Sequence, residues 1–331
     1  MITRRTLLQV GGSLGLSLVP AVGCARDRKE PSPTGSGDRA RVVIVRSTQV
    51  MGKDHTIDSG RLWVMVEHGL RRLTDRPAAA ALNSWIRGVD TVGLKVNCLA
   101  GRQMSTHLEL VQALVGIAAR AGLARKQFVV FDRSDLDLRH GGYPIRLSGA
   151  DFRCVGNDRV GYEPDLRVMR SGASRFSRVA TETAQVLINL PVLKDHGIAG
   201  VSGALKNNFG LVHNPNKFHL NGCDPHVAEV NAQEFVRRKQ RLVICDALRV
   251  QVEGGPAFHP AGAVDQGAIL LATDPVALDV VAWDLLERLR KQRGLPSLER
   301  DRRKPVHILG AARAGLGVAD RTRIQVIEVK V

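Results

Sequence analysis

Six short runs of Val, Ile, Leu and Ala, spaced by stretches of helical periodicity, restrict this chain more than any other feature. They fall at 41–46, 91–97, 127–132, 185–190, 242–245 and 268–272. Each is apolar at consecutive rather than alternate positions, the pattern of a strand covered on both faces. Between them, residues 61–73 carry apolar side chains at helical spacing. Residues 106–121 set Leu108, Val111, Leu114, Val115 and Ala118 on one face, with Ser105 or Thr106 as cap and Gly122 as stop. Asp274 and Pro275 open a helix running to residue 290. Short apolar runs at 306–309 and 324–329 close the chain. Strand and helix in alternation predict an α/β fold, a mostly parallel sheet covered by helices on both faces. Residues 133–182 are richer in Gly, Arg and Asp and read as an irregular excursion. A single domain over 41–331 follows.

The first forty residues belong to a different argument. Arg4 and Arg5 precede an apolar stretch from 7 to 22 that is too short to span a bilayer comfortably. This is the pattern of a twin-arginine signal, which exports proteins already folded. Ala21-Val-Gly-Cys24 reads either as a lipobox, with Cys24 acylated and the protein held at the membrane, or as an ordinary cleavage site. Residues 25–40 are polar and rich in Pro, Gly and Ser, the composition of a tether. The protein is therefore expected in the periplasm or at the outer cell surface.

The net charge of +16 favours anionic partners. Nucleic acid is not expected among them. Aromatic content is 4%, the arginines are scattered, and no nucleic-acid-binding signature is present. The five cysteines include no CxxC, so the chain encodes no ferredoxin cluster of its own. Walker and GxGxxG signatures are missing as well.

Polar residues cluster where the strand runs end. Lys95 and Asn97 close the second run, Asn189 the fourth and Asp246 the fifth. Lys194, His196, Lys206 and Asn207 follow within a glycine-rich segment, 189–210. In parallel sheets ligands gather at the carboxyl ends of strands, and a lysine inside a core strand needs a carboxylate, a ligand or water. The expectation is one cleft. Lys95, Lys194, His196 and Asp246 are its candidate catalytic residues; Asn97, Asn189, Lys206 and Asn207 are its candidate substrate contacts. The peptide N–H groups at the start of a short helix near 202–208 are a further candidate anion site. Downstream, His213, His219, Cys223 and His226 lie on a loop and are candidate ligands for iron or zinc, although the spacing matches no standard finger.

In order along the chain, Val92-Gly-Leu-Lys-Val-Asn97, the helix after Ser105-Thr106, residues 189–196, Gly203-Ala-Leu-Lys-Asn-Asn-Phe-Gly210, His219, Asp246, Glu253-Gly-Gly-Pro256, residues 272–279 and Ala314-Gly-Leu-Gly317 resemble the family known as domain of unknown function 362. The resemblance runs over roughly 42–329. It implies association with iron–sulfur proteins, and so a redox partner, without defining a reaction. Two functions stay open. One is an exported, metal- or iron–sulfur-linked enzyme, with oxidoreductase chemistry among the expectations, acting on an anionic small molecule. The other is a non-catalytic factor at the cell surface that binds or matures a metal or cofactor.

Overall fold

Alternate residues of the central strands enter separate hydrophobic cores, which makes this a two-faced sheet. The computed structural model describes residues 39–86 and 91–331. The signal, Cys24 and nearly all of the tether lie outside the described residues. The strands are β1 (Ala40–Arg46), β2 (Val92–Lys95), β3 (Phe128–Asp132) and β4 (Arg153–Gly156). Then come β5 (Arg167–Met169), β6 (Gly172–Ser174), β7 (Val186–Asn189) and β8 (Val192–His196). The last four are β9 (Gly200–Ser202), β10 (Gln240–Gln251), β11 (Ala263–Ala272) and β12 (Ile324–Lys330). The sheet order is β12-β1-β11-β10-β7-β2-β3-β4, with the β8–β9 hairpin joined to β10. Neighbours from β10 to β4 pair in parallel; β11 runs against both β1 and β10. The fold is thus α/β with a mostly parallel sheet.

On one face lie α1 (Ser59–Thr74), α2 (Ala78–Trp85) and α3 (Leu108–Arg120). They pack on Val43, Val45, Leu94, Val130, Ile188 and Ile244. The excursion holds α4 (Asp135–His140) and α5 (Asn157–Val160). The other face carries α6 (Ala204–Asn207), α7 (His226–Asn231), α8 (Glu234–Lys239), α9 (Pro275–Gln292) and α10 (Val306–Arg313). These cover the intervening strand residues, among them Val42, Ile44, Val129, Phe131, Leu187 and Val243. A fully buried side chain of this kind stabilises the fold by ~1.5–3 kcal/mol, so both faces must be covered.

The run at 306–309, too short for its pattern to separate strand from helix, begins α10. Two local expectations are corrected. Helix α3 is capped by His107, not by Ser105 or Thr106. The Thr106 hydroxyl is occupied elsewhere: it accepts from the Asn97 N–H at 2.9 Å and donates to the Leu190 carbonyl at 2.6 Å. Within the 133–182 excursion, β4 extends the main sheet in parallel beside β3, which the polar flanks of that segment conceal.

The chain order creates a crevice. From β2 the chain steps outward through β3 to β4, then returns to place β7 on the other side of β2. Connections therefore leave β2 and β7 in opposite directions at their carboxyl ends. This is the position where open α/β sheets take ligands.

Candidate functional site

A cleft of about 440 Å³ opens at this edge. Its lining includes Lys95, Asn97, Asp132, Lys194, His196, Lys206, Asn207 and His219. Lys95 ends β2 and Asp132 ends β3, and parallel pairing brings the two together. The Lys95 ammonium donates to Asp132 Oδ1 at 2.7 Å and to the Val96 carbonyl at 2.6 Å. The other Asp132 oxygen accepts from the Cys98 N–H at 2.7 Å. On β8 the side chains alternate. Lys194 and His196 line the cleft, while Asp195 turns away to Arg303 and the Gly255 N–H.

Two lysines of the cleft have no acidic partner among the described residues. Lys194 Nζ donates to Asn97 Oδ1 at 2.9 Å, and Asn97 in turn donates to Asn207 Oδ1 at 3.0 Å. Lys206 Nζ lies 2.9 Å from His219 Nε2 and 4.4 Å from the Phe209 ring centre. Because His219 Nδ1 faces the Pro215 carbonyl at 3.0 Å, it carries the proton and Nε2 accepts from Lys206. Burial depresses both ammonium groups, each to about 8. His196 Nδ1 accepts from the N–H groups of Ile198 and Ala199, both at 3.2 Å, so the proton of the neutral ring sits on Nε2. Burial, reinforced by the charge of Lys206, pulls the pKa of His196 down to about 2 and lowers that of His219 as well. The two rings stack with centres 5.6 Å apart.

The predicted residues divide. Lys95, Asn97, Lys194, His196, Lys206 and Asn207 meet in the cleft, as does His219 from the downstream loop. Asn189 lies beneath it, accepting from Asn207 Nδ2 at 2.8 Å and donating to the Ala204 carbonyl at 2.8 Å. Asp246 does not line the cleft. It is fully buried on β10, and its Oδ2 accepts from the His107 N–H at 2.9 Å and faces His107 Nδ1 at 2.8 Å. It thus supports the positive end of α3. Burial opposes protonation of His107, but the Asp246 charge and hydrogen bond outweigh it and raise its pKa. The lining carries two carboxylates, Asp137 and Asp132, and the one that meets a lysine is Asp132. Its signal in the sequence was its place at the end of a strand run, the same signal that marked Lys95.

The anion expected at the 202–208 helix is internal. The N–H groups of Ala204 and Leu205, at the start of α6, donate to Asp279 at 2.6 and 2.9 Å. Burial raises the Asp279 pKa to about 7. Gly203 and Gly210 likewise make room for the protein itself. A Cβ on Gly203 would collide with the Asp279 carboxylate, and one on Gly210 would stand 2.5 Å from Lys95 Cε.

The four candidate metal ligands do not gather. His213 packs edge-on to Tyr162, and His226 Nδ1 lies 2.8 Å from Ser171 Oγ. Both His219 nitrogens are engaged, and the Cys223 thiol, its pKa raised by burial, is hydrogen-bonded to Lys206. An ammonium between His219 and Cys223 repels a cation, so this donor set does not fit a metal. Among the described residues, no three His, Cys, Asp or Glu side chains form such a group. The four described cysteines are buried and free.

Fold and cleft together define an open α/β-sheet protein with a cationic crevice at its switch point. The chain belongs to the family described as domain of unknown function (DUF362), whose profile matches residues 92–284. Similar solved structures include a structural-genomics crystal structure from Thermotoga maritima, at 12% identity and a TM-score of 0.41. That match covers 71% of this chain and 59% of the other. Another is the lactate racemase apoprotein from Thermoanaerobacterium thermosaccharolyticum, at 11% identity and a TM-score of 0.43, covering 76% and 58%. The chain spans less than two thirds of the length of either. Nothing among curated proteins matches.

Proposed function

We propose that this protein binds an anionic small molecule in the cleft and acts on it by proton transfer through Lys206 and His219. One observation supports the reading above others: Lys194 and Lys206 are buried ammonium groups with no carboxylate of the described residues in ion-pairing distance. Lys194 is 1% exposed and Lys206 8%. The other charged groups of the lining are already matched, Lys95 with Asp132 and Arg133 with Asp137. Two unmatched buried cations are costly, and an anion between them offsets that cost. Lys206, poised near pH 8 and hydrogen-bonded to a neutral imidazole, can both give and take a proton near neutrality. His196 adds an Nε2–H donor.

The pairing of Asp132 and Asp137 favours a second reading, a binding protein without turnover, since neither carboxylate is free as a base. For either reading we propose twin-arginine export from Arg4 and Arg5 and acylation at Cys24, on the motifs alone.

Titration calorimetry with inorganic phosphate tests the anion site. Affinity should fall more than tenfold between pH 7.5 and 9.5, as both lysines lose their protons. It should vanish in a Lys194→Met, Lys206→Met double variant. Phosphate affinity that ignores both changes would sink the reading. If anions bind but no proton exchange with solvent occurs at any bound carbon acid, the non-catalytic reading holds.

A further inference from the structure

The cleft changes character from floor to mouth. Its floor holds Lys95, Lys194 and Lys206, at 2%, 1% and 8% exposure. Its lining also includes Leu99 and Ile198, which are 52% and 50% exposed. Pro215 and Pro256 complete an apolar rim, and Phe209 lies inside against the Lys206 ammonium. These rim residues come from separate places: the loop after β2, the β8–β9 turn, the 211–219 loop and the segment after β10. Only the fold unites them.

An exposed leucine alone is ordinary. Two large aliphatic side chains on one entrance, flanked by two prolines, are less so, because an entrance for a small hydrated ion gains nothing from apolar walls. Three rings contribute to the inner wall, His196, Phe209 and His219. His196 stacks on His219, and Phe209 meets His219 edge-on with ring centres 5.6 Å apart. Pockets that combine apolar walls with a few convergent polar groups orient a ligand by its polar end and hold it by its body.

Building on the anion reading above, we propose that the ligand is an amphiphilic anion. Its charged group sits between Lys194 and Lys206, and its apolar body lies against Leu99, Ile198, Pro215 and Pro256. A carboxylate or phosphate on an alkyl or aryl body has this chemistry, whether free in solution or as the headgroup of a membrane lipid. The cleft volume of about 440 Å³ suits a free molecule with a single short chain rather than a bilayer lipid.

The test uses the full chain and a series of n-alkyl phosphates, from inorganic phosphate through ethyl and butyl to hexyl, with hexanol as the uncharged control. Affinity is expected to rise about fourfold per methylene buried. Hexanol should bind at least a hundredfold more weakly than hexyl phosphate. In a Leu99→Ser, Ile198→Ser variant with an unchanged urea midpoint, the gain per methylene should drop below twofold. Phosphatidic-acid vesicles should not displace hexyl phosphate. Equal affinity for phosphate and hexyl phosphate would overturn the amphiphile while leaving the anion site intact. No binding by any member of the series or by the vesicles, or equal binding of hexanol, would overturn the anion site itself. Binding to the vesicles without binding to the monomers would overturn the choice of a free ligand.

Discussion

Replacing Lys194 with Met should stabilise the anion-free protein, although it removes a core side chain's hydrogen bond. The lysine ammonium falls from 10.5 to about 8 on burial, which corresponds to roughly 3 kcal/mol against the charged folded form. Below pH 8 the lysine is charged in both folded and unfolded chains, and the folded protein carries that full cost. Between pH 8 and 10.5 only the unfolded chain holds the proton, so wild-type stability rises with pH until the cost is gone. Against this stands Asn97 Oδ1, which loses its donor at 2.9 Å. A buried unsatisfied acceptor costs about 1–3 kcal/mol, and Asn97 lines the cleft where water reaches it, so the lower end applies. Methionine has nearly the length of lysine and fills the same space. The net expectation is a gain of about 1–2 kcal/mol at pH 7.5, shrinking towards zero or below by pH 10.5. Urea unfolding in anion-poor buffer at the two pH values measures it. With phosphate at a hundred times its Kd the order should reverse, because the wild type gains about 2.7 kcal/mol that the variant cannot. A Lys194→Met protein that is less stable than wild type by more than 1 kcal/mol at pH 7.5 without anion would refute the reasoning.

Other expectations concern the protonation of the core, its internal anion and its export. His196 and His307 are buried neutral, held to about 2 and about 3 chiefly by burial. Only the unfolded chain takes up these protons as pH falls below 6.5, so stability should drop by up to about 1.4 kcal/mol per pH unit for each ring. Urea midpoints between pH 7 and 5 report this, and a flat profile would show that the rings are not buried as described. Among the described residues neither nitrogen of His307 finds a hydrogen-bond partner, so His307→Leu should gain about 1–3 kcal/mol and remove its share of the acid sensitivity. Asp279→Ala should cost about 2–5 kcal/mol in thermal or urea unfolding, because it strands the Ala204 and Leu205 N–H groups, while Asp279→Asn should cost less. An Arg4→Lys, Arg5→Lys precursor should accumulate in the cytoplasm on fractionation; normal export of that variant would remove the twin-arginine reading.

The architecture was legible in the sequence because it depends on local patterning. Consecutive Val, Ile and Leu at 41–46, 91–97 and 127–132 report double-sided burial without reference to any partner, and helical spacing at 106–121 reports α3. Lys95, Asn97, Lys194, His196 and Lys206 could be assigned to one cleft for the same reason. A strand's carboxyl end is a local fact, and parallel pairing brings such ends to one edge. Chemical partnership is not local. Asp132 and Asp246 both end apolar runs and look alike in the sequence, yet one meets Lys95 in the cleft and the other meets His107 at the start of α3. Asp279 fills the helix terminus that seemed open to a ligand, from 74 and 75 residues away. His213 and His226 seemed to share a site with His219 and Cys223, but Tyr162 and Ser171 engage them instead. Whether a charged group is paired depends on which distant segment arrives within about 3 Å of it. That is set by strand order and helix packing across the whole sheet, so the two unmatched lysines became visible only in the folded molecule.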